Sequence, residues 1–150
     1  LNWDASITQS PQNDGVTKTT KEAAGAIAYI ETSYAINAGL GMALVKNKEG
    51  NFVGPTGAAV TAAGASAVLP ADMRLSIVNA AGAESYPISS FVYFLAPADM
   101  SKNPSGKGIQ AALKYVVMEG QAKAEELHYA KLPEAVQKAV AEKIDAIKVQ

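Results

Sequence analysis

Two short segments carry residue types that could bind an anion. Asn13, Asp14 and Gly15 stand where the pattern predicts a capped helix start, and the free N–H groups of a helix start attract anions. Residues 105–108, with the sequence Ser-Gly-Lys-Gly, offer a similar arrangement. A carboxylate at Asp14 would repel an oxyanion, however, and residues 105–108 lack the spacing of a Walker loop. Helix capping is the more ordinary explanation for both, and Asn13, Asp14 and Gly15 remain the candidate ligands.

The residue types of catalytic and metal sites form no recognisable constellation in this sequence. There is no cysteine, which excludes disulfides, thiol catalysis and zinc–thiolate sites. His128 is the only histidine, and we expect it to lie half-buried on a helix. Glu125 and Glu126 are adjacent on that predicted helix and do not face each other, so they are not a general acid and base pair. We therefore predict no catalytic residue, no metal ligand and no cofactor.

Composition and charge narrow the class of protein. With 49% hydrophobic and 18% charged residues, the 150-residue chain has the composition of a folded globular protein. Its 13 basic and 14 acidic side chains give a net charge of −1, which excludes nucleic acid as a main partner. The residues from Leu1 to Asp4 do not form a signal peptide, so any export leader would lie outside this sequence. Because Trp3 follows the start so closely, we expect the chain to begin inside a larger fold.

Several short β-like runs would position these candidate residues. Strands are predicted at residues 26–31, 42–45, 52–53, 75–78 and 91–95, with a hairpin turn at Asn47–Gly50. The run 91–95 is apolar on both faces, as a central strand should be. Tyr29 and Phe94 are therefore expected to be core aromatics whose replacement by Ala costs about 3–5 kcal/mol.

Helical patterns fill much of the remaining sequence. Helices are predicted from about Asn13 to Glu22, at 32–38, from Pro55 to about Val68, from Ser105 to Gly120, from Ala122 to Tyr129 and from Glu134 onward. The helix after Ser105 should have one apolar face, formed by Ile109, Leu113, Val116 and Val117. The last helix should do the same with Val136, Val140, Ile144 and Ile147. Helices alternating with short strands predict the α/β class.

A series of segments, in a fixed order, resembles one known family. They are Asn13-Asp14-Gly15-Val16, the strand-to-helix run Gly25–Ala35, the stretch Asn51–Thr56, Ser85-Tyr86-Pro87-Ile88 with the aromatic strand to Leu95, and Leu127–Pro133 before the final helix. Together they resemble the substrate-binding proteins of phosphate ABC transporters. The resemblance covers nearly the whole chain and fits the carboxyl-terminal portion of such a receptor.

The resemblance implies a fold and a role for the whole receptor. The fold would be one or more lobes of the periplasmic-binding-protein type II kind, a mixed sheet flanked by helices, apparently incomplete here. Residues 1–88 would belong to the second lobe, with a hinge near 85–90, and residues 89–150 would return into the first. The complete receptor would carry inorganic phosphate to an ABC-type permease, in the periplasm or at the cell surface.

The binding site of that family has no counterpart in this sequence. The resemblance implies hydroxyl and N–H donors, an Arg fork and an Asp acceptor, carried by a Gly-Ala-Thr-Phe-like loop and an Arg-x-x-x-Ser-Gly-Thr-like loop. Neither loop is present, and Arg74 is the only arginine. The chain alone is therefore expected to bind phosphate poorly, with missing strands or a partner chain covering open sheet edges. The alternatives are a self-associating interaction module and, less in keeping with the residues, a phosphate-ester hydrolase.

Overall fold

The computed structural model describes residues 2–150, which divide into two compact units. The first unit ends at Met42, and the second runs from Ala43 to Gln150. The two units are distinguished only by how compact each one is. Their boundary therefore does not test the predicted lobe boundary near residues 85–90, which stays a prediction. Among the helices of residues 2–150, none has both the length and the apolar character needed to cross a lipid bilayer.

The first unit contains two helices, α1 (Gln12–Glu22) and α2 (Thr32–Ala38). Helix α1 begins directly after Pro11, so Asn13 and Asp14 lie inside its first turn and no side chain caps it. The predicted cap is therefore wrong. Helix α2 has the predicted bounds and ends at Gly39, whose left-handed φ of 68° is the usual way to stop a helix.

The predicted strand at residues 26–31 does not form among the residues that the structure describes. The Tyr29 residue is 79% exposed and its ring stacks on that of Trp3, with ring centroids 6.2 Å apart. Tyr29 is therefore not a core aromatic in this chain. A β-like run needs neighbouring strands to complete its hydrogen bonds, and none lies beside it here.

The second unit opens with the predicted hairpin. Strands β1 (Val45–Lys46) and β2 (Phe52–Val53) are antiparallel, with Val45 opposite Val53 and Lys46 opposite Phe52. The turn between them closes through hydrogen bonds of Asn47, and Gly50 has a φ of 89° that favours glycine. The hairpin prediction is confirmed.

Helix α3 (Gly57–Ala65) follows the hairpin and carries part of the core of this unit. The Thr56 hydroxyl accepts a hydrogen bond from the Ala59 N–H and caps the helix. Gly64, which lowers helix propensity, lies beside the Phe91 ring and Pro133, and a Cβ there would be in van der Waals contact with both at 3.4 Å.

The remaining helices are α4 (Gly106–Val117), α5 (Gln121–Ala124), a 3₁₀ helix (Glu125–Leu127) and α6 (Glu134–Asp145). Helix α4 packs on α6, where the Gln110 Nε2 donates to the carbonyls of Ile144 and Ile147 at 2.9 and 3.1 Å. The Lys114 ammonium pairs with Asp145 at 2.7 Å.

The face that α4 buries is the predicted one in part. Val117 is buried and Leu113 is half-buried, as predicted, whereas Ile109 and Val116 are exposed and Gly106 is buried as well. Gly106 lies against the carbonyl of Met100, and this close backbone contact helps to fix how α4 is turned. On α6 the predicted face is confirmed, with Val136 and Ile144 buried.

The predicted strands at 75–78 and 91–95 do not form either, so the described residues contain one two-stranded sheet rather than a mixed sheet flanked by helices. Phe94, expected in the core, is 63% exposed. The chain is still a mixture of helices and a small sheet, as an α/β fragment would be. Its buried apolar side chains in the second unit are Val53, Ala59, Ala63, Ile77, Met100, Val117, Val136 and Ile144.

Candidate functional site

The candidate ligand Asp14 lies in an open groove of about 510 Å³ between α1 and α2. The groove is lined by Asp14, Thr17, Lys18, Lys21, Glu22, Tyr34, Asn37 and Ala38. The lining includes two ammonium groups and two carboxylates, and all four of these charged side chains are exposed. An ion in this groove would keep most of its water, so the attraction of the lysines for an oxyanion is weak.

The neighbouring candidates, Asn13 and Gly15, are engaged within the chain. The Asn13 Oδ1 accepts the Glu31 N–H at 3.2 Å, and its carbonyl accepts the Thr17 hydroxyl at 2.7 Å. The Gly15 N–H donates to the carbonyl of Pro11 at 3.2 Å. A Cβ at Gly15 would lie 2.9 Å from the Pro11 Cδ, so glycine is needed here for packing. These contacts join α1 to the segment before α2 and leave few donors for a ligand.

The second motif, residues 105–108, starts α4 beside a hollow of about 500 Å³. The hollow is lined by Pro97, Asp99, Met100, Ser101, Lys102 and Asn103. The Asp99 carboxylate accepts hydrogen bonds from the Ser101 hydroxyl at 2.6 Å and the Ser101 N–H at 2.9 Å. These bonds hold the pKa of Asp99 below its ordinary value, so it is anionic at neutral pH and opposes an oxyanion.

Arg74, the one side chain that could offer a guanidinium fork, is paired within the chain. Its Nε donates to the Asp72 carboxylate at 2.9 Å, and its N–H donates to the same carboxylate at 3.1 Å. The backbone and side-chain bonds from Arg74 lower the pKa of Asp72. This exposed pair gives Arg74 a local carboxylate partner.

His128 is exposed, not half-buried as the sequence predicted. It ends the 3₁₀ helix with a left-handed φ of 63°. Nearby, Glu126 pairs with Lys123 and Glu125 with Lys131, each at 2.9 Å, so the two carboxylates have separate partners. Within residues 2–150, no group of three or more His, Asp or Glu side chains is placed to hold a metal ion.

The most enclosed polar site is a network that the sequence did not single out. The Asn47 side chain is 4% exposed, and its Nδ2 lies 3.3, 2.8 and 3.2 Å from the carbonyls of Gly82, Ala83 and Ser85. Its Oδ1 accepts the N–H groups of Glu49 and Asn51. The network therefore joins the hairpin turn to the loop before Tyr86.

Among the described residues, the buried polar side chains of this network all have hydrogen-bond partners within the chain. The Ser85 hydroxyl donates to the carbonyl of Ala81 at 2.7 Å, and the Ser89 hydroxyl donates to that of Tyr86 at 2.8 Å. Burial raises the pKa of Tyr86, whose N–H donates to the carbonyl of Ala59. Every polar group here is used to position the loop, so the network is structural. Both halves were visible in the sequence as a turn and a Ser-Tyr-Pro motif, but nothing indicated their contact.

The chain is similar to several known proteins that carry the same name. The chain is 30% identical over 123 residues to the phosphate-binding protein PstS of Xylella fastidiosa (strain Temecula1), covering 81% of this chain and 34% of that protein. It is 36% identical to the PstS of Methanocaldococcus jannaschii over an alignment of 155 residues, covering 91% and 38% respectively. It is 29% identical to the PstS of Pasteurella multocida over 126 residues, covering 83% and 37%. No protein-family model matches the chain.

These relatives share one name, phosphate-binding protein PstS. The chain spans little more than a third of the length of the curated relatives. Each match nevertheless takes in at least four fifths of the residues described above. The resemblance predicted from the sequence is therefore confirmed: over most of its length, the chain is a relative of the phosphate-binding proteins named PstS.

Proposed function

We propose that this chain is the carboxyl-terminal part of a phosphate-binding receptor. The complete receptor would deliver inorganic phosphate to an ABC-type membrane permease and would work in the periplasm or at the cell surface. The observation that carries the proposal is the shared name of relatives matching 81–91% of the chain. That name describes binding proteins, which supports a binding role rather than catalysis.

The proposal divides the chain between two lobes. Residues 1–88 would form part of the second lobe, with a hinge near 85–90, and residues 89–150 would return into the first lobe. Closure of the lobes around the anion would then be a hinge motion, and the permease would recognise the closed form. The buried network around Asn47 and Ser85 would hold the loop before this hinge in place.

Under this proposal, the chain by itself lacks most of the hydrogen-bond donors that a bound phosphate needs. A desolvated phosphate needs many oriented donors, because each lost water contact must be replaced by a hydrogen bond. The groove between α1 and α2 is open and of mixed charge, and Arg74 already has a carboxylate partner. Polypeptide equivalent to the uncovered part of the relatives would therefore supply most of the phosphate donors.

The test is titration calorimetry of the 150-residue chain with inorganic phosphate at neutral pH. We expect no saturable heat at micromolar phosphate, whereas the full-length Xylella fastidiosa relative serves as the positive control. Micromolar binding by this chain alone would contradict the proposal that its donors lie elsewhere.

Residual millimolar binding would be located with matched variants. Lys18→Ala and Lys21→Ala remove the ammonium groups of the α1–α2 groove, and Lys107→Ala removes the one at the start of α4. A loss confined to the first two would place a weak ion site in the groove. A loss confined to Lys107→Ala would place it at residues 105–108.

A further inference from the structure

Helix α4 carries a second row of apolar side chains that the fold leaves exposed. On one side of this helix Val117 is buried and Leu113 is half-buried. About a quarter of a turn away, at roughly 100° per residue, lie Ile109, Ala112 and Val116. All three are exposed, Ile109 at 37% and Val116 at 41%. A helix that is apolar on more than one side is normally covered on more than one side, so this row indicates a further packing surface.

The spacing of this row is that of a contact between two helices. From Ser105, which begins the helix, the row continues at intervals of four, three and four residues to Val116. Alternating intervals of four and three keep the same side chains facing a neighbouring helix along its length. The small side chain of Ala112 allows that neighbour to approach closely. We call Ser105, Ile109, Ala112 and Val116 the exposed seam of α4.

The two ends of α4 are complementary in charge. Glu119, two residues after the end of the helix, is exposed and belongs to none of the salt bridges of residues 2–150. The first turn of the helix has no acidic residue, and the N–H groups of Lys107 and Gly108 donate no hydrogen bond within that same part of the chain. A carboxylate beside the start of a helix is stabilising, because the free N–H groups there carry partial positive charge. One α4 therefore offers at its end what a second, antiparallel α4 accepts at its start.

A two-fold axis at Ala112 satisfies both the seam and the charges. Ser105 and Glu119 each lie seven residues from Ala112, so an antiparallel pair centred there brings each carboxylate to the start of the other helix. The same symmetry sets Ile109 of one copy between Ala112 and Val116 of the other, where a side chain fits the space between those of a facing helix. With a net charge of −1, two copies of the chain repel each other little.

We propose that two copies of this chain associate through antiparallel packing of their α4 helices about Ala112. A helix of 12 residues is about 18 Å long, so this contact is smaller than the standard interface of roughly 1,200–2,000 Å². The dimer is therefore weak and depends on the concentration of the chain. Phosphate takes no part in the contact, which goes beyond the proposed function and is tested separately from it.

The test is analytical ultracentrifugation of the 150-residue chain from about 5 µM to about 1 mM, where a weak dimer forms progressively. Ala112→Glu places a carboxylate of each copy at the two-fold axis and should weaken the dimer about tenfold or more. Ala111→Glu adds the same charge at an exposed position outside the seam and should leave the dimer intact. Circular dichroism checks that both variants keep their helices. A monomer at every concentration, or equal effects of the two changes, would overturn the proposal.

The orientation of the helices is read by disulfide cross-linking with oxidised glutathione, since the chain has no cysteine of its own. Ala112→Cys should cross-link to its own second copy faster than Ala111→Cys does. A mixture of Ser105→Cys and Glu119→Cys chains should give the mixed disulfide, because antiparallel packing brings those two positions together. Preferential cross-linking of Ser105→Cys to itself would indicate parallel helices and would contradict the proposed pairing.

A further variant separates the seam from the other exposed apolar residues. Phe94, which is 63% exposed, lies outside α4, and Phe94→Asp should leave the dimer intact. Association that survives Ala112→Glu but is lost in Phe94→Asp would place the contact at Phe94 and would exclude the α4 seam.

Discussion

At the residue scale, the buried Asn47 side chain joins the hairpin turn to the loop before Tyr86. Its Nδ2 donates to the carbonyls of the loop at residues 82–85, and its Oδ1 accepts the N–H groups of Glu49 and Asn51. Asparagine is suited to this position because one amide supplies both donors and an acceptor. The two chain segments it joins are more than thirty residues apart in sequence.

Replacing Asn47 with Ala should lower the free energy of unfolding by about 3 kcal/mol, because buried backbone groups would lose their partners. Asn47→Asp should also destabilise, since a carboxylate cannot donate to the carbonyls of Gly82, Ala83 and Ser85. Urea unfolding measures both effects. Asn51→Ala is the matched control, because the Asn51 side chain is exposed and only its backbone joins the network. Equal losses at Asn47 and Asn51 would contradict a stabilising role for the buried Asn47 side chain.

At the scale of one element, α4 shows how a single glycine decides how a helix is turned. Of the four residues on its predicted apolar face, Leu113 and Val117 are half-buried and buried, whereas Ile109 and Val116 are exposed. Contact between Gly106 and the Met100 carbonyl selects the observed face. Periodicity alone could not distinguish these arrangements, because it counts apolar residues and does not register a backbone approach.

Gly106→Ala should therefore destabilise the chain, because the new Cβ would lie 2.8 Å from the Met100 carbonyl oxygen. Gly108→Ala on the same helix has no atom within 4 Å of the new Cβ and should stabilise by up to about 1 kcal/mol through helix propensity. Thermal unfolding of the two variants gives the comparison. Stabilisation by both would mean that α4 does not approach Met100 in solution.

At the scale of the whole molecule, the chain has helices with a small core and strand-like segments that remain unpaired. Tyr29 and Phe94 were expected in a core, but both are exposed within residues 2–150. The proposed receptor explains the difference, because partner strands would convert these segments into sheet and cover the aromatic rings.

Phe94→Ala should accordingly change the stability of the isolated chain by less than about 1 kcal/mol, well below the 3–5 kcal/mol of a core aromatic. Ile144→Ala, at a buried position of α6, is the contrasting variant and should cost about 2–5 kcal/mol. Chemical denaturation of the two variants checks this. A large loss for Phe94→Ala would place that ring in a core of the isolated chain.

The sequence by itself determined the helices, the hairpin and the family. These depend on local signals: a cap such as Thr56, a stop such as Gly39, a turn such as Asn47–Gly50, and motifs in a fixed order. It also indicated that the family's anion-binding loops are missing. Such features are legible because the residues that produce them are close together in the chain.

Tertiary structure alone decided the rest. Whether residues 91–95 are a strand depends on a neighbour, since strand hydrogen bonds join distant segments and cannot be made by the run itself. The partner of Asn47 is likewise set by a contact between remote residues, and the buried face of α4 depends on a backbone approach to Met100 that apolar periodicity does not register. Local pattern shows what a segment can become, and the polypeptide beside it determines which of those states is stable.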